Sequence, residues 1–168
     1  MGYLLYSTLV LILFIAQSFF SGFDFLNGVK VDLLLILVII IAVNKGKRKG
    51  SLMGLVVGLL EDLFFGGLIG VNAISKIIVG FLFGFLNKYV YHYTFILAPI
   101  FIAFGTIFNQ IIILLLLPQS VFDFSFAGLL ENIILPLLAS NVIFTIPLYF
   151  IICLIESFIS KESSNVKR

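Results

Sequence analysis

The chain has 168 residues, of which 62% are hydrophobic and only 11% are charged, and its formal net charge is +2. A soluble domain is usually about half apolar and about a quarter charged, so this composition excludes a water-soluble globular protein. Apolar runs such as 33–43 and 111–117 are continuous, and they lack the alternation that is typical of membrane β-barrel strands. The composition therefore predicts an all-α integral membrane protein.

Six apolar runs follow one another along the chain, at residues 3–20, 31–43, 51–65, 74–90, 94–117 and 133–155. A spanning helix takes about 20 apolar residues, so six of them would leave room only for short loops. We therefore predict one compact bundle of six transmembrane helices at 1–160, followed by a short polar tail at 161–168. The first run is expected to be a retained helix, because no cleavage site of small residues follows it. The second and third runs are short, so five spans with a re-entrant hairpin is the alternative.

The loop at 44–50 carries the densest positive charge in the chain and predicts the orientation of the bundle. Basic loops are retained in the cytoplasm, so this loop, the N-terminus and the C-terminus are all expected on the cytoplasmic side of the membrane. Most of the other Lys and Arg residues then also lie on the cytoplasmic side. The basic residues of the loop are Lys45, Lys47, Arg48 and Lys49.

A small or acidic residue recurs at every fourth position from the basic loop through the third apolar run. Within the third run this spacing places Gly54, Gly58 and Asp62 on one helix face, where a neighbouring backbone can approach closely. We expect this face to pack helices within the bundle, with a homodimer interface or the docking of a partner helix as the alternatives. The residues are Gly46, Gly50, Gly54, Gly58, Asp62, Gly66 and Gly70, and Gly80 and Gly84 repeat the spacing in the fourth run.

Glu61 and Asp62 are the acids that lie within a predicted span, where a carboxylate is costly unless it is paired or solvated. Asp62 could act as a proton or cation relay, or as an anchor for a ligand or a partner helix. The structural interpretation, which we favour, is that Asp62 accepts hydrogen bonds from the glycine-rich turn at 66–70 or pairs with Lys76. Lys76 lies early in the fourth run and could reach either acid. Asn72 and Ser75 are expected to cap the helix that follows this turn.

The remaining polar residues within or beside the spans are expected to be buried and to find partners on other helices. None of them forms a catalytic constellation, since the single histidine and the single cysteine have no second ligand or nucleophile beside them. We therefore expect no enzyme activity, no metal site, no cofactor and no nucleic-acid partner. The residues in question, together with Glu61 and Lys76, are Asp32, Asn72, Asn109, Gln110 and Asn141.

The stretch from Asp32 to Gly84 resembles the rod shape-determining protein MreD family. It contains DLLLIL, then KGKRKGSLMGLVVGLLEDL, and then GGLIGVNA. The family pattern of small residues four apart before an acid, followed by a glycine turn and an alanine, maps here to Gly50, Gly54, Gly58, Asp62, Gly66, Gly70 and Ala73.

The resemblance implies a multi-pass protein of the bacterial cytoplasmic membrane that is a non-enzymatic subunit of the cell-wall elongation complex and scaffolds lateral peptidoglycan synthesis. Its implied partners are the bitopic protein MreC, membrane lipid and, indirectly, actin-like MreB and the RodA-type glycosyltransferase with its transpeptidase. The family is also similar in fold to the S components of energy-coupling-factor transporters, so a vitamin-binding S component is the alternative function. That alternative would use the loop residues Phe122, Asp123, Phe124 and Phe126 for cargo, whereas the first span has only Ala16 for the docking face that an S component needs.

Overall fold

The computed structural model of the chain describes residues 2–22, 31–65, 68–90, 94–117, 128 and 130–165, and every regular element in these residues is helical. The order along the chain is α1 (Gly2–Gly22), α2 (Leu33–Lys45), α3 (Lys47–Phe64), α4 (Val71–Gly84), the short α5 (Asn87–Val90), α6 (Thr94–Leu116) and α7 (Leu135–Asn165). A π-helical turn, Leu130–Ile134, leads into α7. The six long helices coincide with the six apolar runs of the sequence.

In the part of the chain that the structure describes, three helical segments are long and apolar enough to cross a membrane, namely Val71–Tyr89, Ile96–Leu116 and Leu135–Phe158. Two shorter apolar helices, Leu4–Phe19 and Leu33–Lys45, accompany them. α3 is helical over residues 51–64 of its predicted run, but it begins with three basic residues and carries Glu61 and Asp62 in its last turn. The all-helical fold is thus confirmed for the described residues, the apolar helices are compatible with a membrane protein, and the number of complete crossings stays a prediction.

α2 lies at the centre of the bundle. All eleven residues from Leu33 to Val43 are buried, and packing partners come from α1, α3, α4, α6 and α7. A helix that is apolar on every side is stable when protein or lipid surrounds it on every side. With 13 residues α2 is about 20 Å long, which is shorter than the roughly 30 Å hydrocarbon core of a bilayer. The surface of α2 is therefore covered by the neighbouring helices rather than by lipid.

The ends of α2 define the two ends of the bundle, which we call the Asp32 end and the Lys45 end. At the Lys45 end, Gly46 alone joins α2 to α3 and has a φ of 84°, a left-handed backbone angle that glycine adopts without strain. The Asn87 side chain donates to the carbonyls of Val43 and Asn44 at 2.7 and 2.8 Å. These bonds satisfy carbonyls at the C-terminus of α2 and hold α5 against it.

Candidate functional site

Lys76 is the most deeply buried charge among the described residues, with no side-chain exposure. Its ammonium lies 2.6 Å from Oδ2 of Asp32 and 2.8 Å from Oε2 of Glu61. The other oxygen of Glu61 accepts from the Gln17 amide at 2.9 Å. A buried lysine is tolerable only when its charge is compensated at close range. The residues of this cluster, which we call the Lys76 cluster, therefore tie α1, α2, α3 and α4 together.

The same cluster closes the N-terminus of α2, where the first backbone amides of a helix have no partner within the helix. Oδ1 of Asp32 accepts from the Leu35 amide at 2.8 Å, and Oε1 of Gln17 accepts from the Leu34 amide at 3.2 Å. The Asp32 amide donates to Asn141 of α7 at 2.9 Å. Asp32 thus has two tasks, as the helix cap and as the partner of Lys76.

Asp62 lies on α3 beside Glu61, but its carboxylate caps the N-terminus of α4 rather than binding Lys76. Its carboxylate accepts from the backbone amides of Gly70, Asn72 and Ala73 at 2.8 to 3.1 Å and from the Asn72 side chain at 3.0 Å. The sequence left two structural interpretations open for Asp62, and the structure contains the first of them, the hydrogen bonds to the turn and the start of α4. The expected alternative, an ion pair between Asp62 and Lys76, is wrong, because the neighbouring Glu61 forms the ion pair with Lys76.

The start of α4 also corrects the expected cap by Asn72 and Ser75. The N-cap residue is Gly70, whose φ of 101° is left-handed and which contributes no side chain. Asp62 supplies the missing acceptor, and a carboxylate at a helix N-terminus is further stabilised by the helix dipole. Ser75 instead donates to Oδ1 of Asn109 on α6 at 2.9 Å. Its hydroxyl therefore links two helices.

The glycines at four-residue spacing lie where α3 crosses α4, and we call this contact the glycine seam. A Cβ on Gly54 would collide with the backbone carbonyl of Lys76, and one on Gly58 would collide with the backbone of Ala73. A Cβ on Gly50 would lie 2.7 Å from the carbonyl oxygen of Gly80. Gly84 of α4 meets the backbone of Lys47 in the same way. The two backbones are therefore in direct contact, and these glycine faces are covered within the chain.

The other polar residues singled out in the sequence lie between the later helices. Asn141 has no exposed surface, and its amide donates to the Thr106 hydroxyl of α6 at 3.0 Å. Asn109 is 2% exposed and accepts from Ser75. Asn72 and Gln110 are half-buried. Through Asn141 and Asp32 the hydrogen bonds run on from α7 to the Lys76 cluster, so one polar network reaches each of the six long helices.

The basic residues of the 44–50 loop separate into two groups at the Lys45 end. Lys45 is half-buried, lies 3.5 Å from Glu156 of α7 and donates to the Tyr6 hydroxyl of α1. Lys47, Arg48 and Lys49 are exposed in the first turn of α3. Lys45 thus links α2 to α1 and α7, whereas the other three cations lie exposed on the surface of the bundle.

Several residues named from the sequence lie outside the described residues. They are Gly66 of the expected turn, His92, and the loop residues Phe122, Asp123, Phe124 and Phe126. Among the residues that the structure does describe, no group of three His, Cys, Asp or Glu side chains is placed to hold a metal ion. In the Lys76 cluster the space between the two carboxylates is taken by the ammonium group.

Sequence reasoning missed the pairing of Asp32 with Lys76 and the role of Gln17. The two charged residues are 44 positions apart, and no local pattern connects them. Two signals were nevertheless present. A lysine within an apolar run requires carboxylates, and Gln17 is the lone amide near the end of the first apolar run, beside the position where the second run begins.

Residues 1–158 match the family model described as rod shape-determining protein MreD. The chain belongs to the MreD family. The Gly50, Gly54, Gly58 and Asp62 pattern that carries the resemblance in the sequence thus corresponds, in the structure, to the glycine seam and the cap of α4. No curated protein and no solved structure matches the chain.

Membership identifies the chain as a membrane protein of rod-shape determination. MreD proteins are shape-determining structural proteins and are not known as an enzyme family. The polar network is consistent with such a role, because its side chains bind one another. Within the described part of the chain, every buried side-chain nitrogen and oxygen has a hydrogen-bond partner. The network therefore serves the fold of this subunit.

Proposed function

We propose that the chain is a non-enzymatic scaffold subunit of the cell-wall elongation complex that binds the single-span protein MreC. Through MreC it would be linked to MreB and to the RodA-type glycosyltransferase with its transpeptidase. The observation that carries this proposal is the match to the MreD family over residues 1–158. A scaffold of this kind needs a rigid body and an outward surface, rather than an open reaction site.

Two features of the structure support that role. The polar network and the glycine seam fix the helices against one another, so the bundle presents defined outer faces. Those faces are apolar and exposed, most regularly along α6, where large side chains recur at intervals of three or four residues. The residues of this stripe are Ile96, Ile100, Phe104, Phe108, Ile111 and Leu115.

We further propose that the Lys45 end faces the cytoplasm, with both termini on that side. In addition to the loop residues, Lys88 belongs to α5, whose Asn87 is bonded to the C-terminus of α2. Five cations are thus gathered at one end of the bundle, which is the distribution expected for a cytoplasmic face.

The test is a photo-crosslinking scan in the native bacterial host after depletion of the chromosomal copy. A photoreactive residue replaces Ile12 on α1, Phe104 on α6 or Phe150 on α7, which are all exposed, and Lys49 in the basic loop serves as the matched control. We expect rod shape to be restored and an MreC adduct to form from at least one of the three helix faces. Restored rods without an MreC adduct from any face would refute direct binding. If the chain purified from this host instead carried an ATPase module and a stoichiometric vitamin, the scaffold role itself would be refuted.

A further inference from the structure

A groove of about 470 Å³ lies on the surface of the α3–α4 pair at the Lys45 end. α3 contributes Lys47, Arg48 and Ser51 near its start and Leu52 and Leu55 further along, and α4 contributes Ile77 and Phe81. Lys47, Ser51 and Leu55 are spaced by four residues, as are Arg48 and Leu52, so both sets run along the helix on neighbouring stripes. The groove is therefore basic at one end and apolar along the rest of its length.

The cations at the mouth of the groove are Lys47 and Arg48. Within the described part of the chain, neither Lys47 nor Arg48 forms an ion pair. Lys47 instead lies over the Phe85 ring, 4.3 Å from its centroid. Gly46, the N-cap of α3, brings no side-chain acceptor to the first amides of that helix. Both the side chains and the helix terminus thus favour a negative group at this position.

From its basic mouth to its apolar end, the groove is close in length to the hydrocarbon part of one membrane leaflet. From Lys47 to Leu55 the rise along α3 is about 12 Å, against roughly 15 Å for half of the hydrocarbon core. Leu52 and Phe81 are 62% and 44% exposed, so the groove opens to the surroundings of the helix pair. Side chains of this kind suit a flexible acyl chain, with its charged group held at the basic mouth.

We propose that this groove binds one anionic phospholipid, with the phosphate between Lys47 and Arg48 and an acyl chain along Leu55, Ile77 and Phe81. The proposal does not depend on MreC binding. It assigns to the first turn of α3 a specific ligand in addition to its effect on orientation. It also accounts for the contrast with Lys45, whose charge is already satisfied by Glu156.

The test uses the full-length protein, purified in detergent and stripped of lipid, and native mass spectrometry during titration with phosphatidylglycerol or phosphatidylcholine. We expect wild-type protein to retain one phosphatidylglycerol in preference to phosphatidylcholine. The variant K47Q/R48Q should lose about thirtyfold in phosphatidylglycerol affinity, since each of the two cations contributes on the order of 1 kcal/mol to anionic lipid binding and every 1.4 kcal/mol is a factor of ten. The matched control K49Q/K88Q removes the same charge from exposed positions outside the groove and should change the affinity less than twofold. Equal losses in the two variants would refute a defined site.

Two further measurements separate the possible occupants. Ser51→Phe fills the groove and should reduce retention of phosphatidylglycerol while leaving the melting temperature unchanged, because Ser51 is half-buried at the groove and its hydroxyl bonds only to its own helix. A photoreactive residue at Leu55 in native membranes should form a lipid adduct. A protein adduct from that position, or full retention by the Ser51→Phe variant, would overturn the proposal.

Discussion

The two ends of α2 both carry a lysine that faces a carboxylate, but they differ in how far the protein encloses the charges. At the Asp32 end, the Lys76 side chain is fully buried and contacts two carboxylates at 2.6 and 2.8 Å. At the Lys45 end, the Lys45 and Glu156 side chains are 24% and 30% exposed and lie 3.5 Å apart. The first arrangement collapses if one member is removed, whereas the second can be replaced by solvent or lipid headgroups. The Asp32 end therefore determines whether the bundle forms.

The largest expected effect is that of Lys76→Met, which leaves Asp32 and Glu61 buried without a cation. Loss of one member of a buried charge cluster costs about 3 to 5 kcal/mol, so little folded protein should be recovered. Thermal melting followed by size-exclusion chromatography in mild detergent measures this. Lys88→Met, at an exposed lysine, is the control and should melt like wild type. The triple variant K76M/D32N/E61Q should regain part of the loss, and wild-type melting of Lys76→Met would contradict the comparison.

The glycine seam joins the two ends and predicts an intermediate effect. Gly54→Ala would place a methyl group against the backbone carbonyl of Lys76, which cannot move without separating α3 from α4. Overpacking of this kind costs about 1 to 3 kcal/mol. Gly105→Ala is the matched control, because its Cβ would meet side chains and no backbone, namely the flexible end of Ile39 and, at 3.4 Å, the Phe83 ring.

The measurement is the shift of the melting temperature of each variant in the same detergent. Gly54→Ala should lower it by several degrees, whereas Gly105→Ala should leave it nearly unchanged. A larger loss for Gly105→Ala than for Gly54→Ala would show that the seam is not the tightest contact of the bundle.

The smallest expected effect belongs to the Lys45 end. Lys45→Met and Glu156→Gln should each change the free energy of unfolding by about 1 kcal/mol or less, because both side chains are partly exposed. A double-mutant cycle of the two, measured by thermal melting, should give a coupling energy below about 1 kcal/mol. A coupling as large as that between Lys76 and Glu61 would remove the distinction between the two ends.

The sequence predicted the helices well, because continuous apolar runs leave few other structures for a chain in lipid. The spacing of Gly50, Gly54 and Gly58 also predicted a closely packed face. It could not identify the facing helix, since Gly80 and Gly84 had the same spacing without any signal of register. Nor could it place α2 at the centre, because a helix that faces lipid and one that is enclosed by protein are equally apolar.

The polar contacts were predicted less well, because most of them join residues that are far apart in the sequence. Asp62 and its turn are close in sequence, so their contact was among the alternatives. Glu61 and Asp62 are adjacent, however, and only the rotation of α3 decides which of them meets Lys76. The partner at Asp32 depends on where α2 begins relative to α4, which no pattern within either helix contains.

The position of Lys76 in the chain has a consequence for biosynthesis. Gln17, Asp32 and Glu61 belong to α1, α2 and α3, so all three leave the ribosome before the lysine that binds the two carboxylates. Until α4 is inserted, the first three helices carry two acids without a counter-ion, and the glycine face of α3 has no backbone to meet. The arrival of α4 supplies both at once and is the step of synthesis at which the nascent bundle can close.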